Sequence, residues 1–83
     1  MAVRSDLQKW VVSALEHYNG SATIVQVAKF IWKNHENELR HSGDLFYTWQ
    51  YEMRWAAQKL RDAGVCMKAN KPPVGIWVLN KTI

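Results

Sequence analysis

The chain is poor in cysteine and has no long apolar run. Cys66 is its single cysteine, so no disulfide can form within the chain, and nothing points to an oxidising compartment. No apolar stretch approaches the roughly 20 residues that cross a bilayer. Residues 1–6 lack the apolar core of a signal peptide. Internal repeats and low-complexity segments are also missing, and we expect a cytoplasmic protein without a membrane partner.

Large aromatic side chains are plentiful. The 83 residues include five Trp, three Tyr and two Phe, and hydrophobic residues make up 48% of the chain. A domain of this size buries a modest fraction of its surface, so bulky side chains must supply its core. The length suits one folded domain, which we place over residues 1–83.

Positive charge exceeds negative charge. Eleven Lys and Arg against seven Asp and Glu give a formal charge of +4. A polyanion is the natural partner of such a chain, and nucleic acid is the commonest polyanion. Improved solubility explains the same charge equally well, so charge alone does not decide between the two.

The first half of the chain predicts two helices. Ser5-Asp6 can cap the start of a helix, and Asn19-Gly20 can end it. Between them, the apolar residues recur with the period of a helix; they are Leu7, Trp10, Val11, Ala14, Leu15 and Tyr18. Ser21–Thr23 is a short link or a one-pair strand. Thr23 and Gln26 fit a capping box, which starts a second helix that we expect to run from Ile24 to about His35. The polar segment Glu36–Asp44 is interpreted as a loop.

A longer third helix follows. Asp44 can cap it, and it is expected to run from Leu45 to about Ala63, ending before Gly64. One side is apolar, with Phe46, Trp49, Met53, Ala56, Leu60 and Ala63. The opposite side is unusual for an exposed helix face because it combines aromatic residues with arginines: Tyr47, Tyr51, Arg54, Trp55, Gln58, Arg61 and Asp62.

After Gly64 the apolar period changes to two, which predicts strands. One strand covers residues 65–69, Pro72 and Pro73 interrupt it, and a second covers Gly75–Leu79. We interpret the pair as a hairpin. The order helix, short strand, helix, helix, strand, strand indicates an α+β fold of the winged helix-turn-helix type, with a three-helix core and a two- or three-stranded β wing.

Two segments resemble a known family. The stretch from Arg54 to Val65 (RWAAQKLRDAGV) and the strand Gly75–Leu79 (GIWVL) are similar to the N-terminal winged-helix domain of Mrr-type restriction endonucleases. That family carries leucine where this chain has Val65, and valine where it has Ile76. The nuclease domain of those enzymes has no counterpart in these 83 residues. The resemblance therefore implies a winged helix that binds double-stranded DNA and does not cut it.

In helix-turn-helix proteins, the second helix of the motif enters the major groove. Here that helix starts at Leu45, and its predicted DNA contacts are Tyr47, Gln50, Tyr51 and Arg54, followed by Gln58 and Arg61. Arginine can bond guanine and glutamine can bond adenine bidentately, and tyrosine hydroxyls reach phosphates. Lys68 and Lys71 are predicted phosphate contacts near the wing turn. The alternative is a solvated polar face, with its tyrosines packed along the helix or against the wing.

Catalytic and metal chemistry find no support in the sequence. His17, His35, His41 and Cys66 show no ligand spacing, so we expect no metal site and no cofactor. No catalytic triad or carboxylate pair stands out, and we expect no enzymatic activity. Trp10, Trp49 and Trp77 belong to the predicted core. For Trp55 we expect a structural role, packed against the wing or the first helix.

The expected function is that of a DNA-binding protein, a transcription regulator or an accessory factor of a DNA-processing or mobile-element system. A second interpretation is a protein-docking module that uses Tyr47, Tyr51 and Trp55 as an aromatic patch, since aromatic residues and arginine also mark protein interfaces. The DNA sequence preference, the oligomeric state and the pathway stay open at this point.

One prediction concerns Lys71, which precedes a proline at the wing turn. Because it is expected to meet only phosphate, Lys71→Ala should weaken the binding of every duplex about equally and reduce the salt slope by roughly one unit. Fluorescence anisotropy with two unrelated duplexes, titrated with salt beside the wild type, measures both effects. An unchanged slope would contradict the phosphate contact.

Overall fold

The computed structural model describes residues 3–66 and 76–79. Within these residues the chain forms three helices and two strands, in the order α1 (Asp6–His17), β1 (Ser21–Thr23), α2 (Ile24–Arg40), α3 (Leu45–Asp62) and β2 (Ile76–Val78). The α+β class expected from the sequence is confirmed. The predicted strand over residues 65–69 and the proline turn lie for the most part outside the described residues.

Helix α1 buries the expected apolar stripe and ends where the sequence predicts. Leu7, Trp10, Val11, Ala14 and Leu15 are buried, and Tyr18 just beyond the helix is half-buried. The next two residues have positive φ, 65° at Asn19 and 104° at Gly20. The Gly20 N–H donates to the Leu15 carbonyl at 2.7 Å, which closes the helix end.

Two of the three helices begin without the side-chain cap that the sequence predicts. Ser5 and Asp44 make no side-chain cap hydrogen bond, because both already have helical φ and ψ, whereas a capping residue needs an extended backbone. Carbonyl groups of the preceding turn accept hydrogen bonds from the first backbone N–H groups instead. For example, the Phe46 N–H donates to the Gly43 carbonyl. Only α2 has the predicted capping box, with Thr23 extended and Thr23 and Gln26 bonded reciprocally at 2.9 and 3.1 Å.

Helix α2 is five residues longer than predicted, and the loop expected over Glu36–Asp44 is therefore partly helical. The helix changes direction at His35, whose φ of −131° is not helical, and continues to Arg40. Local side-chain contacts stabilise this last turn, since Glu36 accepts from Arg40 at 2.7 Å. The bend also buries Leu39 completely. Leu39 is a single apolar residue among polar neighbours. It does not make a helical apolar period, so the sequence did not predict this turn.

Helix α3 buries one side over most of its length. Its buried residues are Trp49, Met53, Ala56, Ala57 and Leu60. The apolar side is shorter at both ends than predicted, because Phe46 is half-buried and Ala63, the residue after the helix, is exposed. In the described part of the chain, no helix is both long and apolar enough to cross a membrane.

The two strands form an antiparallel pair. Ala22 lies opposite Trp77, with Ser21 opposite Val78 and Thr23 opposite Ile76. The segment that the sequence left as a short link is therefore a strand with three paired residues. On the far side of β2, Leu79 forms a single bridge with Cys66, and this is the part of the predicted hairpin that falls within the described residues.

One hydrophobic core joins these elements. Helix α1 packs against both α2 and α3, and β1 contacts α1 and α2. Trp10, Trp49 and Trp77 are all buried in the core, as the sequence predicts. Trp77 and its strand partner Ala22 are both buried, so the strand pair contributes to this core from β1 and β2 alike.

The core assignment predicts a large loss of stability from two truncations. Trp77 and Leu60 are each only 6% exposed, so Trp77→Ala and Leu60→Ala should each cost about 2–5 kcal/mol of unfolding free energy. A small domain has about 5–15 kcal/mol in total. Chemical denaturation measures both, and Val25→Ala is the control, because Val25 is 60% exposed. Native-like stability of Trp77→Ala and Leu60→Ala would contradict the packing of β2 and α3 on one core.

Candidate nucleic-acid interface

The predicted contact residues of α3 share one side of the helix. At 100° per residue, Tyr47, Gln50, Tyr51, Arg54, Gln58 and Arg61 lie within an arc of about 100°. This stripe runs for about 21 Å along the helix and lies opposite the buried side that includes Trp49 and Met53. All six side chains are exposed except Arg61, which is half-buried. We call this set the α3 stripe.

The first half of the stripe is available to a partner. Tyr47 is 82% exposed and Tyr51 is 75% exposed. The Tyr47 ring makes an edge-to-face contact with the ring of its neighbour Phe46, at 5.0 Å between ring centroids. Arg54 is exposed and makes no hydrogen bond or ion pair with another residue of the described part. The alternative of a solvated polar face stays open, since Tyr47 does contact Phe46 along the helix and most of the predicted wing lies outside the described residues.

The second half of the stripe is internally bonded. Arg61 donates from Nη2 to the Gln58 Oε1 at 2.8 Å, and Gln58 donates from Nε2 to the Asp62 Oδ1 at 3.0 Å. This chain ends on a carboxylate, which offsets part of the arginine charge. The six predicted residues therefore fall into two sets. Gln58 and Arg61 are hydrogen-bonded to each other, whereas Tyr47, Gln50, Tyr51 and Arg54 are exposed. Lys68 and Lys71, the predicted wing contacts, lie outside the described residues.

Trp55 lies beside the stripe and has a structural partner. The Arg4 guanidinium lies 3.9 Å from the Trp55 ring centroid, a cation–π distance. The Arg4 Nε also approaches the Glu52 Oε2 at 3.3 Å. Arg4 thus ties the segment before α1 to the side of α3. Trp55 is half-buried and also packs against the core. The partner expected from the sequence was the wing or the first helix, whereas Arg4 precedes that helix.

A groove lies along the other edge of the stripe, between α2 and α3. It has a volume of about 360 Å³ and is lined by Ala28, Lys29, Trp32, Phe46, Trp49 and Gln50. We call it the aromatic groove. Gln50 belongs both to this groove and to the α3 stripe. Sequence reasoning did not propose Lys29 as a site residue. The available signal was its spacing from Lys33, one turn apart on the polar side of α2.

Stacked rings form the apolar lining of this groove. The Trp32 and Trp49 rings are nearly parallel, 9° apart in plane with centroids at 6.0 Å. Phe46 lies 6.4 Å from Trp32. The Arg40 guanidinium lies 5.2 Å from the Trp32 ring centroid, held by its ion pair with Glu36. The aromatic lining is therefore fixed by contacts on several sides.

The histidines have structural surroundings. His35 stacks on Trp10 at 3.8 Å between ring centroids, and its Nδ1 lies 3.0 Å from the Glu38 Oε1. His41 donates from Nδ1 to the Asn37 carbonyl at 2.7 Å. Across the described ranges 3–66 and 76–79, no three His, Cys, Asp or Glu side chains are grouped as metal ligands.

Cys66 is buried, and its backbone forms a single antiparallel bridge with Leu79. Burial raises the pKa of its thiol, because the thiolate is poorly solvated there, and the charge of Arg61 offsets part of this effect. The thiolate is the reactive form of cysteine. The local structure therefore suits a core side chain rather than a nucleophile.

Comparison of the chain with models of protein families, with curated proteins and with solved structures finds no match. The similarity to the N-terminal domain of Mrr-type endonucleases consequently stays a prediction that rests on the two segments quoted above.

Burial of Cys66 predicts slow alkylation in the native state. At neutral pH, iodoacetamide should react far more slowly with the folded chain than with the chain in urea, where the pKa of the thiol returns to its ordinary range. A raised native pKa also means that the stabilising contribution of the protonated thiol is lost as pH rises above that range. Mass spectrometry follows the reaction, and Cys66→Ser controls for labelling elsewhere. Equal rates in the two states would show that the bridge does not shield the thiol.

Proposed function

We propose that this chain is a winged-helix domain that binds double-stranded DNA and has no catalytic activity of its own. The strand order supports the fold part of the proposal. After α3 the chain returns to pair β2 with β1, and Cys66 bridges the other side of β2. A three-helix core with a small sheet in this order is what a winged helix requires, and helices α2 and α3 then form its helix-turn-helix.

The exposed first half of the α3 stripe is the observation that carries the functional part. Gln50, Tyr51 and Arg54 offer an amide, a hydroxyl and a guanidinium to solvent on one side of a helix whose other side is fixed in the core. A major groove admits such a helix, and these groups match the hydrogen-bonding edges of bases and the phosphates. No carboxylate lies in this half of the stripe.

Charge supplies the part of the affinity that is independent of sequence. Lys29, Lys33 and Arg54 have no carboxylate within ion-pair distance among the described residues, whereas Arg4 and Arg40 are paired. Unpaired cations can release counterions from DNA, which makes binding strongly dependent on salt. At physiological salt the non-specific dissociation constant should be on the order of micromolar or weaker.

A protein-docking module is the second candidate, and the exposure of Tyr47 and Tyr51 favours it. Its proposed patch also included Trp55, which instead packs under Arg4. The patch is thereby reduced to two tyrosines. Salt separates the two candidates, since DNA binding weakens steeply with ionic strength and an aromatic protein interface does so much less.

The cellular role follows from the resemblance alone. A winged helix similar to the DNA-binding part of Mrr-type enzymes fits a cytoplasmic transcription regulator or an accessory factor of a DNA-processing or mobile-element system.

Arg54→Ala and Arg61→Ala form a matched pair that tests the proposal. Both remove one arginine from the α3 stripe, but only Arg54 is free of internal bonds. Arg54→Ala should cost about 1–3 kcal/mol for the preferred duplex and relax the preference at one base position. Arg61→Ala should weaken binding less than Arg54→Ala does, and by about the same factor for every duplex. Binding-site selection followed by anisotropy measures both.

If Arg54→Ala keeps the affinity and preference of the wild type, α3 is not the helix that reads DNA. If the wild type binds no duplex even at low salt, the docking module becomes the better explanation of the exposed tyrosines.

A further inference from the structure

We infer that the aromatic groove between α2 and α3 binds a single nucleotide, with the base on the aromatic lining and the phosphate at Lys29. The inference builds on the proposed DNA binding and adds to it a second site, which adjoins the α3 stripe at Gln50. The source of the nucleotide is either an unpaired residue of a bound DNA strand or a free nucleotide. Both present the same chemistry, a planar ring joined to an anion.

The lining of the groove suits a flat ring. Trp32 and Phe46 are half-buried and supply the accessible ring surface, while the nearly parallel Trp49 ring is buried in the core and stacks on Trp32. Every base has a π-face, and stacking on an aromatic side chain is worth about 1–3 kcal/mol per base. The volume of about 360 Å³ lies at the lower end of the range for small-ligand sites. A group of one ring system fits this space better than an extended chain.

The two polar residues of the groove add hydrogen bonding and charge. The Gln50 amide presents a donor and an acceptor together, the pair that matches an adenine edge. Lys29 is exposed and has no carboxylate within ion-pair distance among the described residues. Its ammonium group therefore favours an anion. An apolar peptide side chain would use the rings but leave both polar groups without a partner.

The position of Gln50 connects the groove to the α3 stripe. Because Gln50 belongs to both, a nucleotide that leaves a duplex lying on α3 reaches the groove without crossing another element. Unstacking and unpairing a base costs a few kcal/mol, and least when the base is already unpaired. The protein should therefore prefer a duplex with one extrahelical adenine over the same duplex fully paired.

The first experiment compares these two duplexes by fluorescence anisotropy at one salt concentration. The wild type should bind the duplex with the extrahelical adenine about tenfold more tightly, which corresponds to about 1.4 kcal/mol. Lys29→Ala should lose most of that ratio. Lys33→Ala is the matched control, since it removes the same charge one turn away, outside the aromatic groove, and should keep the ratio. A ratio that survives in Lys29→Ala would overturn the inference.

The second experiment titrates isotope-labelled protein with dAMP and follows the Gln50 side-chain amide and the Trp32 indole N–H by NMR. Shifts of these signals that are lost in Lys29→Ala support the groove as a nucleotide site. If they occur without any preference for the extrahelical adenine, a free nucleotide is the source. If dAMP shifts neither signal and the duplex ratio is near one, the inference is wrong. A peptide that shifts both signals where dAMP does not would likewise overturn it.

The dAMP titration does not depend on duplex binding. If the paired duplex is not bound at low salt, the proposed function fails, while the titration still decides whether the groove takes a nucleotide.

Discussion

The packing of α3 against α1 determines what this molecule presents to solvent. Trp49, Met53 and Leu60 are all buried in the shared core, which fixes the rotation of α3 about its axis. The side of α3 opposite these buried residues must face solvent. Tyr47, Gln50, Tyr51 and Arg54 all lie on that side. The candidate interface is a consequence of this packing, because the same side chains on a helix rotated by a quarter turn would meet α1 or α2.

The sequence was sufficient for the parts of the fold that depend on local periodicity. The stripe of α1, with Trp10, and the burial of Trp49 follow from the 3.6-residue helical turn. The Thr23–Gln26 capping box follows from one reciprocal hydrogen-bond pair, and Trp77 from the period of two in its strand. The last turn of α2 and the absence of side-chain caps at Ser5 and Asp44 could not be predicted in this way. They depend on a bend and on preceding turns that are already helical, and neither leaves a pattern in residue type.

The same distinction applies to the candidate site. Helical spacing placed the six residues of α3 on one side, and the structure agrees. The spacing could not show that Gln58 and Arg61 bond to each other and to Asp62, because side-chain pairing depends on rotamers. It also could not show that Lys29 and Gln50 line the same groove, because they lie on two helices separated by a loop. Properties of a single helix were readable from the sequence, whereas contacts between elements were not.

The bend at His35 has a consequence for local stability. Beyond it, Leu39 and Ser42 are the only buried side chains before the start of α3. Among the exposed side chains of this segment, Arg40 pairs with Glu36 and lies 5.2 Å from the Trp32 ring centroid. Segments with few buried contacts open at a lower free energy than the core. Residues 36–44 should therefore exchange their amide hydrogens sooner than the middle of α1 or α3. Since this segment leads directly into α3, we expect the first turn of that helix to open more readily than the turns that contain Met53 and Leu60.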